Sequence, residues 1–160
     1  MIDERYAPPS AKVADVGQGA EAPPLWNPNA AANWSLMFSP AFGAFLHMKN
    51  WQALGEPSKA LLSKRWCIIT LVVFAANLAA AVAMPESRSM DGISRLSGLV
   101  LLIAWYVSAG RGQASYVKSR FGSNYERRPW GKPLLIAFGA LFLYFVLAAA
   151  IGFLTGMLRR

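Results

Sequence analysis

Three long stretches of this chain carry no Lys, Arg, Asp or Glu: Trp66–Pro85, Leu96–Gly110 and Pro133–Leu158. A helix needs roughly 20 consecutive apolar residues to cross a hydrocarbon layer about 30 Å thick. Strands are far shorter than these runs, and lipid offers the backbone no hydrogen-bond partner, so each run satisfies its own amides as a helix. The runs predict spans at Trp66–Met84, Ile93–Gly110 and Pro133–Met157, the last long enough to cross with tilt. The expected fold class is all-α: a polytopic membrane helix bundle with three full spans and one short or re-entrant apolar helix before them.

Composition supports this reading. The 160 residues are 55% hydrophobic and 15% charged, against roughly 25% charged in soluble domains. Sixteen Lys and Arg against eight Asp and Glu give a net charge of +8. An excess of that size suits either nucleic-acid binding or the basic loops of a membrane protein. The basic residues sit in the gaps between apolar runs, which favours the membrane and argues against a nucleic-acid partner. Cys67 is the single cysteine, so no disulfide forms within the chain.

Residues 1–24 are polar and small, with Pro8, Pro9, Pro23 and Pro24. They lack the basic and apolar regions of a signal peptide and are expected to form a disordered tail. Residues 25–160 then form one integral membrane domain. Asn27 precedes Pro28 and is biased toward a turn. An apolar segment follows over 34–54, with Pro40 placed to bend it. Its apolar run, Trp34–Met48, is interrupted by Ser39-Pro40 and Gly43 and rises only ~22 Å as a helix. The segment is therefore expected as a broken, re-entrant helix, with a marginal span as the alternative. Gly55-Glu56-Pro57 ends it. Ser58 is expected to cap a short basic helix from Lys59 to Arg65. Gln113–Phe121 is expected as an interfacial helix with Tyr116, Val117 and Phe121 toward lipid, stopped by Gly122.

Charge asymmetry sets the orientation. Segment 49–65 carries Lys49, Lys59, Lys64 and Arg65, and segment 111–132 carries Arg111, Lys118, Arg120, Arg127, Arg128 and Lys132. The loop 85–92 carries Arg88 against Glu86 and Asp91. Positive residues stay in the cytoplasm, so both basic segments are expected there. The loop 85–92 and the C-terminus are then expected in the periplasm of a bacterial inner membrane. A re-entrant 34–54 keeps the N-terminus cytoplasmic, whereas a spanning one puts it outside.

Catalytic, cofactor-binding and metal-binding residues are each expected to be none. His47 is the single histidine and reads as an interfacial side chain near a helix end. Cys67 reads as a small buried hydrophobe. No Asp or Glu falls within a span, which argues against a carboxylate-based transporter. Small residues recur every four positions at Ala75, Ala79 and Ala83, and at Ala148, Gly152 and Gly156. Such spacing lets helix backbones approach closely, within the bundle or in a homodimer. Asn77 lies in a span and reads as an interhelical hydrogen-bonding group. Trp34, Trp51, Trp66 and Trp130 are expected at the membrane interface.

The stretch Leu25-Trp26-Asn27-Pro28, Asn33-Trp34-Ser35-Leu36, Ser39-Pro40-Ala41-Phe42-Gly43-Ala44, His47, Asn50-Trp51 and Leu54-Gly55-Glu56-Pro57 resembles a pattern in small, mostly uncharacterised bacterial inner-membrane proteins. The resemblance covers residues 25–66 and implies membrane residence, with no activity attached. Some proteins of similar size and topology are immunity proteins against toxins delivered by type VI secretion. The expected function is accordingly non-enzymatic: neutralising a membrane-inserting, pore-forming toxin by helix–helix contact in the bilayer. The alternative is a small accessory subunit of a larger membrane assembly or transporter.

Overall fold

The computed structural model describes residues 22–84 and 88–158. The expected disordered tail falls almost wholly outside them. The helices are α1 (Pro28–Phe38), α2 (Pro40–Ala53), α3 (Pro57–Ala83), α4 (Arg88–Trp105), α5 (Arg111–Phe121) and α6 (Gly131–Leu158). A π turn, Tyr106–Gly110, joins α4 to α5 without a break. Three helical stretches are long and apolar enough to cross a membrane: Pro57–Ala83, Gly92–Phe121 and Gly131–Met157. Only 6% of each apolar window is buried by the protein itself, so their side chains face outward as lipid-exposed surfaces do. The chain is an all-α, multi-pass membrane protein.

The first apolar segment begins earlier than 34–54 suggests. Asn27 leaves helical geometry, its Oδ1 accepts from the Asn29 and Ala30 amides, and Pro28 fills the first helical position. That arrangement satisfies amides a helix start would otherwise orphan. Pro40 does not bend one helix; it opens a second. Between the two helices Ser39 adopts φ 140 and ψ 164, a region ordinarily left to glycine. The helices fold back as an antiparallel hairpin, with the His47 ring against the Pro28 carbonyl. A Cβ on Gly43 would collide with the Ser35 hydroxyl and lie 2.5 Å from Trp105. Close approach of α1, α2 and the end of α4 therefore requires glycine there.

The hairpin returns to the end of the molecule it left. Leu25 forms a parallel bridge with Arg127, through Leu25 N–H to the Glu126 carbonyl (3.0 Å) and Arg128 N–H to the Leu25 carbonyl (2.9 Å). Leu54 and Gly55 then turn into α3 beside it, with Gly55 at φ 71. Phe38, near the hairpin tip, meets Phe138 of α6 edge-on with ring centroids 4.9 Å apart. Leu36 and Met37 beside it are exposed.

Further boundaries differ from expectation. Lys59–Arg65 is not a separate helix capped by Ser58. These residues form the first turns of α3, with Pro57 at its start and Glu56 in the cap position without a side-chain bond. The loop 85–92 is shorter than expected, because α4 begins at Arg88; residues 85–87 lie outside the described part. Val117 does not face lipid. It is buried, since α5 turns the Gln113 and Val117 face inward. Gly122, at φ 65, ends α5.

Candidate functional site

Buried polar side chains concentrate where the hairpin base, the start of α5 and the extended segment Leu25–Trp26 meet. Asn50 Oδ1 accepts from the Trp26 amide at 3.1 Å, and Asn50 Nδ2 donates to the Trp26 carbonyl at 2.8 Å. One amide side chain thus pairs with both backbone groups of one residue, as a neighbouring strand would. Asn50 Nδ2 also donates to Gln113 Oε1 (3.0 Å), and Gln113 Nε2 donates to the His47 carbonyl (2.9 Å). The Trp26 indole N–H donates to the Pro129 carbonyl (3.1 Å). The Arg128 guanidinium stacks 4.8 Å from the Trp26 ring.

His47 lies at the centre and is fully buried, which corrects its reading as an interfacial side chain. The sequence hides this because Lys49 and Gln52 follow closely on other faces of the same helix. Its Nε2 lies 3.2 Å from the Pro28 carbonyl, so the neutral ring carries its proton there and keeps a lone pair on Nδ1. Desolvation lowers its pKa to about 4, against a smaller upward pull from that carbonyl. Trp105 packs 5.4 Å from it, ring to ring. The Trp105 indole is also fully buried. Among the described residues, His47 Nδ1 and Trp105 Nε1 have no hydrogen-bond partner. Neutral amides and a neutral imidazole bonded to backbone do positional work here: they hold three chain segments in register.

A second feature lies on the rim of this cluster. Trp51, Lys59, Leu62, Ser63, Ser108, Ala109, Gly112 and Tyr116 enclose a groove of about 240 Å³. Lys59 Nζ sits 4.8 Å from the Trp51 ring and 4.3 Å from the Tyr116 ring, and 3.4 Å from Glu56 Oε2. Tyr116 donates its hydroxyl to Glu56 Oε1 (3.0 Å) and accepts from Arg120 (2.9 Å). The Tyr116 hydroxyl, ahead of Lys59, holds the Glu56 carboxyl below the usual carboxylate range.

The residues singled out from sequence lie elsewhere for the most part. Ala75, Ala79 and Ala83 are exposed on α3, Ala148 is half-buried, and Gly152 and Gly156 are exposed on α6. A Cβ at either glycine meets nothing within 4 Å, so this stripe packs on no other part of the described chain. Asn77 Nδ2 donates to Ser97 Oγ of α4 at 2.9 Å. Trp51 is buried against Tyr116, while Trp34, Trp66 and Trp130 are half-buried. Among the described residues, no group of three or more His, Cys, Asp or Glu is placed to share a metal ion. Trp26, Asn50, Trp105 and Gln113 were not anticipated as a cluster. The available hint was the pair His47 and Asn50, three apart and so on one face of a helix.

The chain matches no protein-family model, no curated protein and no solved structure.

Proposed function

We propose that this is a non-enzymatic inner-membrane protein that acts by packing its spans against helices of another membrane protein. The observation that carries this reading is the exposure of the small-residue faces. Ala75, Ala79 and Ala83 on α3 and Gly152 and Gly156 on α6 lie unpacked. Lipid supplies no hydrophobic drive between helices, so small residues that permit close backbone approach are the usual means of association.

The specific form proposed is an immunity protein that pairs with the helices of a pore-forming toxin before they assemble. The test is co-expression with a candidate membrane-inserting toxin while membrane potential is followed. The intact chain preserves the potential, and Ala79→Leu with Gly152→Leu loses protection without loss of protein. Equal depolarisation with and without the chain rejects the proposal. The accessory-subunit reading draws on the hydrogen-bonded basic end, which offers a second, polar handle. It predicts a stoichiometric partner after mild detergent extraction.

The hairpin supports a re-entrant first segment, dipping to the depth of Phe138 and returning. With segments 49–65 and 111–132 in the cytoplasm, residues 22–27 lie there too, because Leu25 and Trp26 bond to Glu126, Arg128 and Pro129. The segment 85–92 and the C-terminus are then periplasmic. Reporter fusions at Ala22 and Asn124 should read cytoplasmic and a C-terminal fusion periplasmic; an external Ala22 rejects this orientation.

A further inference from the structure

The hairpin fills only part of the depth that the spans cross. It touches two of them: Trp105 of α4 lies beside Gly43, and Phe138 of α6 meets Phe38 near the tip. Beyond that level α4 runs back from Trp105 to Arg88 and α6 runs on to Leu158, each rising a further ~25 Å or more as a helix. The face of α4 that packs on the hairpin continues past the tip. Trp105, Leu102, Gly98 and Arg95 follow one another at spacings of three and four residues and so share it. Trp105 is fully buried, Leu102 and Gly98 are half-buried, and Arg95 is exposed. A Cβ on Gly98 would meet nothing within 4 Å. Burial falls away along this face as the hairpin is left behind.

Two hydrogen bonds fix the depth of Arg95. Asn77 of α3 donates to Ser97 Oγ (2.9 Å) and accepts from Ser94 Oγ (3.4 Å), and these serines flank Arg95 in α4. Arg95 therefore lies level with Asn77. From Asn77 the uncharged run of α3 goes on to Met84, ~10 Å further, and back to Trp66, ~16 Å the other way. The Arg95 backbone thus sits inside the layer that α3 crosses without a charge. Cations at such depth are rare, and they pair with an anion or reach for the surface. Among the described residues, the one ion pair is Lys59 with Glu56. A lipid phosphate would draw the guanidinium to the surface and leave Gly98 bare. A carboxylate carried on a helix lies at the depth of Arg95 itself and brings the apolar surface that covers the face.

We propose that this face of α4 receives a helix of the partner membrane protein, and that the helix carries an Asp or Glu level with Arg95, ~10 Å below the surface remote from the basic end. The carboxylate accepts two parallel hydrogen bonds from the guanidinium. Gly98 lets the two backbones approach closely, and the hairpin tip limits how far the helix inserts. The inference rests on the helix-contact reading and names the chemistry of the partner.

The test reconstitutes the full chain in phosphatidylcholine vesicles with a synthetic Leu/Ala membrane helix bearing one Asp at that depth, and reads association by fluorescence energy transfer. The same helix with Asn in place of Asp is the reference. The Asp helix should associate about fivefold more tightly than the Asn helix. Arg95→Gln should abolish the difference. Gly98→Leu, which covers the face without touching charge, should weaken association of both helices. Lys118→Gln, a cation at the basic end, and Asp91→Asn, one turn before Arg95, should leave the difference in place. Circular dichroism confirms that each variant folds, and Gly98→Leu decides if Arg95→Gln does not. Equal association of the Asp and Asn helices, or a difference that survives in Arg95→Gln, overturns the site and leaves the helix-contact reading standing. Association of neither helix overturns both. Tighter binding in Asp91→Asn would assign the guanidinium to its own helix, and loss of the difference in phosphatidylglycerol vesicles would assign it to lipid phosphate; either overturns the site.

Discussion

His47 is neutral because it is buried, and that makes the hairpin base sensitive to acid. Its folded pKa is about 4, lowered from 6.5. Between those values the unfolded chain holds a proton that the folded chain does not. The contribution to stability is complete above pH 6.5, declines as pH falls, and levels off below pH 4. The full effect is on the order of 3 kcal/mol at most. Thermal unfolding in detergent across this window should show the slope, and His47→Gln should flatten it. Asn50 gives a sharper test. Asn50→Leu leaves the Trp26 amide and carbonyl and Gln113 Oε1 without their partner, at a cost of roughly 2–4 kcal/mol. Gly43→Ala should cost about 1–3 kcal/mol, because both Ser35 and Trp105 must move. Thermal unfolding of both variants checks these values. Little of this was legible in the sequence. An Asn or Gln in a helix looks the same whether it faces water or a buried backbone, and the partners lie 24 to 66 residues apart.

At the scale of elements, the breaks matter more than the helices. Ser39 separates α1 from α2 in a conformation that strains a residue with a Cβ. Ser39→Gly should therefore stabilise the hairpin by about 1 kcal/mol, net of the added freedom of the unfolded chain. The π turn sets the rotation of α5 on α4. Deleting Val107 would restore α-helical register and turn α5 by about 100°. Gln113 would then leave Asn50, and Val117 would leave the interior. The expected outcome is a chain that still inserts but unfolds at markedly lower temperature, with amide exchange accelerated in α2. Gly55 and Gly122 were legible from sequence as helix ends, because glycine acts on the backbone locally; Pro40 was legible as a break in the segment but not as the start of a second helix. The continuity of α4 through the π turn into α5 was not legible. Arg111 marks the end of an apolar run, and charge says where lipid ends, not where a helix does.

For the whole molecule, the two ends are built by different rules. The basic end is a hydrogen-bonded assembly of five chain segments around His47, Asn50 and Gln113. Toward the other end, α3 and α4 are linked by Asn77 and Ser97, and α6 presents Gly152 and Gly156 outward. Hydrogen exchange should therefore divide the extramembrane residues sharply, with the Leu25, Trp26 and Asn50 amides protected. Asn77→Ala should loosen α3 from α4 by about 1 kcal/mol without disturbing the basic end, as cysteine cross-linking between the two helices would show. The sequence by itself determined the three crossing helices, because solvation by lipid depends on the local run of uncharged residues. The charge pattern also marked the basic end as distinct. Only the tertiary structure decided that the first apolar segment folds back as a hairpin, and that His47 is interior. It also left a lysine-rimmed groove beside the π turn. Those outcomes depend on contacts between segments up to 103 residues apart, and on which face each helix turns inward, neither of which local composition encodes.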